Sequence, residues 1–269
     1  MAEHGVHDAA SAVERHPAAR VLARGGYVAN GFVHLLIGSL IVAVAFGGER
    51  DADQTGAFRA VAELPLGFVA LWAAAALLAA LGVWHLAEGM LASRRRRGAA
   101  VWALRVSEWG QAVVFLFFGG LSAAVALGAR PQADEAARDA SRGILALPGG
   151  VFAIVLVGVG VAIAGVVFVV MGVRRSFHTK MTIPDGAVGR AVEGLGILGF
   201  IAKGIALGSL GGVLIVAAVR SRAEEAGSLD AAIRALLDLT FGPEIVIVVG
   251  AGLIAYGVFT VFRARYADL

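Results

Sequence analysis

Three windows of this chain align without gaps. Gly26-Tyr27-Val28-Ala29-Asn30-Gly31, Ser107-Glu108-Trp109-Gly110-Gln111-Ala112 and Gly199-Phe200-Ile201-Ala202-Lys203-Gly204 each open an apolar run. The runs carry Gly38, Gly119 and Gly211 at one shared position, and Asn30, Gln111 and Lys203 at another. Self-similarity at this period restricts the fold strongly, because each copy is one unit of structure that buries its apolar surface against its neighbours. A second apolar segment follows each window, so the repeating unit reads as a hairpin of two segments.

The segments are long and the chain is apolar throughout. Hydrophobic residues make up 59% and charged residues 16%, where a soluble domain has about half and about a quarter. Mean hydropathy is +0.81. A helix needs about 20 mostly apolar residues to cross a bilayer core. Six stretches meet or approach that length: 26–47, 66–90, 109–128, 148–173, 195–219 and 243–262. Backbone groups find no water in lipid, which leaves helices or a closed barrel. The length of the stretches and their lack of alternation favour helices. Pro65, Pro148 and Pro243 lie at the starts of the second, fourth and sixth stretches, where a missing N–H costs least. The expectation is an all-α membrane protein of six transmembrane helices, built as three tandem two-helix repeats about a pseudo-threefold axis. A tail at 1–19 precedes repeats at 20–93, 94–187 and 188–269.

Basic residues fall on one side of such a topology. Arg15, Arg20 and Arg24 precede the first span and Arg263 and Arg265 follow the last. Arg94, Arg95, Arg96, Arg97 and Arg105 lie between spans two and three; Arg174, Arg175, Lys180 and Arg190 lie between spans four and five. The alternate links are mixed or acidic, with Glu49, Asp51, Asp53 and Glu63 in the first. The positive-inside rule then places both termini in the cytoplasm. The tail carries Glu3, Asp8 and Glu14 and no apolar core, so no cleaved signal peptide is expected. A net charge of +3 therefore reflects membrane topology and not nucleic-acid binding. Arg94–Arg97 reads as a topology signal and a contact to anionic lipid headgroups. The absence of cysteine removes disulfides, iron–sulfur clusters and thiolate zinc sites.

Polar residues inside spans are costly and mark candidate sites. Asn30 and His34 share a face of span one, as His85 and Glu88 share a face of span two. Counting inward from Arg24 and Arg94 in an antiparallel hairpin brings Asn30 level with Glu88 and His34 level with His85. Such a set suits a divalent metal, a proton or ion pathway, or a hydrogen-bonded network that fixes helix register. A haem fits poorly between helices roughly 8–10 Å apart. The aligned positions do not repeat this chemistry: Phe115 and Leu207 match His34, and Phe168 and Thr260 match His85. The Asn30/Gln111/Lys203 position is polar in every copy. Either it forms an inward ring with Glu88 facing Lys203, or Lys203 snorkels to the interface while Asn30 and Gln111 bond locally. Glu108 and Glu193 read as anions at helix N-termini.

Glycine supplies the packing surfaces. Gly204, Gly208 and Gly212 recur every fourth residue on span five; Gly165 and Gly172 share a face of span four, and Gly250 and Gly257 one of span six. Small residues let membrane helices approach closely, within the chain or in a homo-oligomer. Leu229, Ile233, Leu236 and Leu237 form an amphipathic stripe between spans, with Phe58, Val61 and Leu64 a weaker one. His4, His7 and His16 read as solvated. No nucleophile–base pair, phosphate loop or catalytic carboxylate pair emerges, and no cofactor or resident metal is implied.

The run Ala23-Arg24-Gly25-Gly26-Tyr27-Val28-Ala29-Asn30-Gly31, continued to Gly38, resembles the actinobacterial membrane family known as domain of unknown function 1206. The resemblance extends from about Arg20 to Arg265 and is looser in the second repeat, where Glu108-Trp109 replaces the Tyr-Val pair. It implies three two-helix units in a bacterial plasma membrane and no particular activity. The leading functional expectation is a small transporter- or channel-like protein whose repeat interface holds a polar cavity lined by Asn30, His34, His85, Glu88, Gln111 and Lys203. The alternatives are a structural subunit that packs against a larger membrane complex or lipids, and a metal- or haem-binding protein. Mitochondrial carriers share the layout of three two-helix repeats but not the motif, since the prolines here begin even-numbered helices.

Overall fold

A computed structural model describes residues 16–92, 98–177, 181, 186–222 and 226–266. Among them the regular structure is helical, with no extended strand. Six helices are long and apolar enough to cross a membrane: α1 (Pro17–Ala45), α3 (Gly67–Met90), α4 (Ala99–Ala126), α6 (Gly150–Val173), α7 (Ala187–Val219) and α9 (Gly242–Tyr266). Short helices lie within the repeats, α2 (Gln54–Ala62), α5 (Ala133–Leu145) and α8 (Leu229–Leu237).

The first helix of each repeat starts eight to ten residues before its apolar stretch begins. The extensions carry Arg20 and Arg24, Arg105, or Arg190. Helix continues there because the Ala-, Arg- and Val-rich turns contain no proline beyond the first position, while polarity only stops the apolar run. α7 is 33 residues long, roughly 50 Å, against a hydrocarbon core of about 30 Å. This corrects the reading of Glu108 and Glu193 as N-terminal caps. Both lie well inside their helices. Glu193 pairs instead with Arg175, 2.6 Å away.

The turn into each second span recurs with the repeat. The amides of Gly67, Gly150 and Gly242 donate to the carbonyls of Leu64, Leu147 and Leu239 at 2.9 Å. The residue before the glycine is left-handed in two copies, Leu66 (φ 66°) and Gly149 (φ 80°). A Cβ on Gly67, Gly150 or Gly242 would collide with the carbonyl of Val61, Ile144 or Leu237, so each position requires glycine. Pro65 and Pro148 sit just outside their helices, while Pro243 is the second residue of α9.

The chain divides into two compact units. One comprises Met1–Asn30, Val61–Ala129 and Thr260–Leu269; the other comprises Gly31–Ala60 and Arg130–Phe259. Within the first, α3 packs on α4; within the second, α6 packs on α7, α5 on α6 and α8 on α7. One contact is made three times. A Cβ on Gly38 would meet the Gly250 carbonyl at 2.7 Å, one on Gly119 the Ala75 carbonyl at 3.1 Å, and one on Gly211 the Gly158 carbonyl at 2.7 Å. Gly38, Gly119 and Gly211 are the aligned first-span glycines, and Ala75, Gly158 and Gly250 occupy one aligned position of the second spans. A second rung repeats likewise: Gly82 faces Leu116 and Ala112, Gly165 faces Gly204 and Gly208, and Gly257 faces Gly31 and Leu35. Each first span is therefore seated on the second span of the preceding repeat, with α1 of the first repeat on α9 of the third.

The glycines singled out by spacing divide accordingly. Gly165, Gly172, Gly204, Gly250 and Gly257 all face a neighbouring helix at distances that leave no room for a Cβ. Gly208 contributes its backbone to the Gly165 contact, yet a Cβ on Gly208 itself would meet nothing within 4 Å. Gly212 also faces open space, and Gly211 makes the contact instead. The true stripe follows the 3.6-residue period, which a strict four-residue spacing overruns after two turns.

The links carry their own clasp in the second unit. Asp53 caps α2, accepting from the Gly56 amide at 2.9 Å and the Thr55 hydroxyl at 2.6 Å. Ser228 caps α8, its Oγ accepting from the Asp230 amide at 3.1 Å, and donates to Asp53 at 2.9 Å. The Ser228 amide donates to Asp134 at 2.7 Å and the Ala52 amide to Asp230 at 2.8 Å. Phe58 and Ile233 are buried, so each amphipathic stripe seats one apolar side chain, while Leu64 of the first stripe is exposed.

Candidate functional site

α3 meets α4 through two glycine rungs, Gly82 against Ala112 and Leu116 and Gly89 against Trp109. Between those rungs the facing side chains are His85 and Glu108. Nδ1 of His85 lies 2.7 Å from Oε2 of Glu108, and both side chains are almost wholly buried, at 4% and 6% exposure. The Phe115 ring stacks on the imidazole at 5.3 Å and the Tyr27 ring meets its edge at 6.3 Å. Nε2 of His85 is buried with no hydrogen-bond partner.

This arrangement has a defined chemistry. Nδ1 hydrogen-bonded to a carboxylate fixes the tautomer that leaves Nε2 as the free lone pair of a neutral imidazole. A proton arriving at Nε2 makes an imidazolium that Glu108 already faces. Removing one partner of such a pair costs about 3–5 kcal/mol, whereas replacing both by packed apolar groups is neutral or stabilising by about 1–4 kcal/mol. A buried pair is therefore weak support for a purely structural role. The rest of the protein supplies the apolar version. Phe168 aligns with His85 and Phe200 with Glu108, and where α6 meets α7 these two rings stack at 5.6 Å.

From the sequence alone Glu108 reads as an anion at a helix N-terminus. Its real signal was its column in the alignment, shared with Tyr27 and Phe200, where a carboxylate is the odd member. Asn30 is buried, Glu88 half-buried and Gln111 half-buried in the same unit. The Gln111 amide donates to the Ser107 carbonyl at 3.3 Å, a local bond. His34 and Lys203 belong to the other unit.

There the charged member of the repeated polar position is held by rings. Lys203 Nζ stands 4.3 Å from the centroid of Tyr256 and 4.9 Å from that of Phe168. Phe200 touches both rings, at 5.4 and 5.6 Å, and Phe177 and Phe259 complete the cluster. His34, itself buried, tilts against Tyr256 at 4.8 Å. Among the described residues no carboxylate forms an ion pair with Lys203. Ring faces contribute about 0.5–2 kcal/mol each to a cation, according to its exposure, and so offset part of the cost of a lysine among apolar helices. Arg263 is held similarly, its guanidinium 4.6 Å from the centroid of Tyr27.

Among the described residues no group of three or more histidine or carboxylate side chains is arranged to hold a metal ion. Arg94, Arg95, Arg96 and Arg97 lie outside the described residues, as do Lys180, His4 and His7. Trp102 is exposed and carries the Arg105 guanidinium over its ring at 5.2 Å.

Six apolar spans in three repeats, with repeat-to-repeat glycine contacts, define a multi-pass membrane protein whose exposed span surfaces contact lipid. Residues 25–92, 109–175 and 198–267 each match the family described as Domain of Unknown Function (DUF1206), and the chain belongs to that family. It is 24% identical over 264 residues to "Uncharacterized protein YxxB" of Bacillus subtilis (strain 168), a match covering 95% of this chain and 94% of that protein. No solved structure matches this chain.

Proposed function

We propose that this protein is a small proton-handling transporter-like membrane protein, with His85 and Glu108 as its protonatable centre. One observation carries the reading: a buried imidazole–carboxylate pair occupies an inter-repeat position that the same fold fills elsewhere with stacked phenyl rings. The apolar solution was accessible to this scaffold, so the ionisable pair at α3 and α4 is attributed to use and not to packing. In the proposed cycle Nε2 of His85 takes and releases the proton while Glu108 stabilises the imidazolium and holds the ring orientation. Asn30, Glu88 and Gln111, polar members of the same unit, are the candidates for passing protons to it. The same reading places the protein in a bacterial plasma membrane with both termini cytoplasmic, on the basic links and the positive-inside rule. It takes 1–19 as a tail and 20–93, 94–187 and 188–269 as the repeats.

Reconstitution tests it. Proteoliposomes containing a trapped pH dye and a potassium diffusion potential should acidify faster than protein-free liposomes. Glu108→Gln should reduce that rate to background, and Gly212→Ala should leave it unchanged. A rate equal to that of empty liposomes, or one untouched by Glu108→Gln, removes the proposal.

A second reading, a structural subunit, draws on a different observation. Gly120 and Gly212 align with each other and both are exposed, with open space where a Cβ would sit. Small residues on a lipid-facing surface suit the close approach of another helix, from a second copy or a larger complex. Crosslinking from cysteines introduced at Gly120 and Gly212 in native membranes distinguishes this reading, by giving a discrete higher-mass band.

A further inference from the structure

The links that join the two spans of each repeat are tied to one another by three carboxylates, and each carboxylate divides its oxygens in the same way. Asp53 keeps Oδ1 for its own helix, α2, where it accepts from the Thr55 hydroxyl and the Gly56 amide; its Oδ2 accepts from the Ser228 hydroxyl of the third repeat. Asp230 keeps Oδ2 for Arg234 on its own helix, α8, at 2.7 Å, while Oδ1 accepts from the Ala52 amide of the first repeat. Asp134 faces Arg138 of α5 through Oδ2 at 3.7 Å, and its Oδ1 accepts from the Ser228 amide. Ser228 is thus the hub, holding the first repeat by its hydroxyl and the second by its amide. Every carboxylate oxygen of the three is engaged, so the cluster is not a cation site.

The division has a mechanical meaning. The three bonds between repeats can part while the cap of α2 and the i,i+4 pairs of α5 and α8 stay made. Glycine contacts between spans have no water to replace them. The links do, since Ser228 is only half-buried, and a hydrogen bond exchanged for one to water changes stability little. Connectivity sets α2, α5 and α8 on one side of the membrane, the side away from the start of α1 and the end of α9. We propose that the three bonds are a releasable latch, which closes the link ends of the three repeats in the state seen here and opens, with α2, α5 and α8 intact, to admit water between them. The proposal rests on the transporter-like reading, because a transporter opens in turn toward each side.

The chain has no cysteine of its own, so introduced thiols test the latch in two ways on the full-length protein in proteoliposomes. Ala57→Cys puts a thiol on α2 at a fully buried position. Its reaction with a membrane-impermeant maleimide should run about tenfold or more faster when Ser228→Gly is added, the scale of one or two lost hydrogen bonds. Glycine is tolerated at a helix N-terminus, so helix content by circular dichroism should not change. An unchanged labelling rate overturns the proposal, as does faster labelling that comes with lost helix. The second test replaces the latch by a covalent one, Asp53→Cys with Ser228→Cys, whose parent side chains are hydrogen-bonded at 2.9 Å. Oxidation of this pair should reduce proton flux to background and reduction should restore it, while neither single variant responds to oxidant. Full flux through the oxidised pair overturns the latch. A parent without flux counts against the proton reading instead, and the labelling result then decides the latch by itself.

Discussion

The interface of α3 with α4 and that of α6 with α7 are the same interface twice, built on aligned glycines and holding opposite chemistry. Gly82 and Gly119 bring the first pair together as Gly165 and Gly211 bring the second. In the first an imidazole meets a carboxylate at 2.7 Å; in the second two phenyl rings stack at 5.6 Å. Helix approach is thus a property of the backbone and its glycines, and what lies between the rungs is free to vary. That separation of scaffold from content allows one repeat to acquire chemistry without the others following.

The strongest way to break the comparison is to attack the scaffold. Gly165→Leu drives a side chain into the Gly204 carbonyl and the Gly208 amide, both backbone, at 2.6 and 2.8 Å. It should leave no monodisperse protein in size-exclusion chromatography. Its counterpart Gly82→Ala mainly displaces the flexible Leu116 side chain and should give folded protein with a lowered melting temperature. Next in size, Glu108→Ala strands a buried imidazole and should lower unfolding stability by about 3–5 kcal/mol, measured by denaturant titration in mixed micelles. The double variant His85→Phe with Glu108→Phe copies the α6–α7 solution into α3–α4. It should unfold no more easily than the parent, and up to about 1–4 kcal/mol less easily, while losing proton flux. A double variant as unstable as Glu108→Ala would show that the two interfaces are not interchangeable. Smallest of all, Gly212→Ala enters open space on a helix and should stabilise by about 0.5–1 kcal/mol, visible as a small rise in melting temperature.

What could be read from the residues follows from which forces are local. The spans announce themselves because an apolar run of sufficient length has one destination, and the three aligned windows add the repeat. The starts of α1, α4 and α7 were hidden because charged turns continue a helix without continuing its apolarity. Glu108 therefore reads as a cap in the sequence, whereas in the fold it is the partner of a buried histidine. Pairing was the deeper difficulty. The sequence sets His85 beside span one of its own repeat, at Asn30 and His34, since a hairpin makes sequence neighbours into spatial ones. Its hydrogen-bonded partner is on the next repeat, across a link, and only the glycine rungs specify that contact. Lys203 illustrates the same limit: the sequence marks it as a charge within a span, but the ring faces that hold it come from α6 and α9.

The seating of α1 on α9 has a consequence for how the molecule is made. Synthesis delivers α1 first and α9 last of the six spans, so the face of α1 that carries Gly31 and Gly38 stays uncovered while the four spans between them are inserted. A nascent chain is therefore incomplete in a recognisable way until its final span arrives, and a product stopped before α9 presents bare small-residue surface to the membrane's proteolytic surveillance. A permuted gene that joins the present ends by a linker and opens the chain between α3 and α4 asks the membrane to assemble the same neighbours from a different starting point.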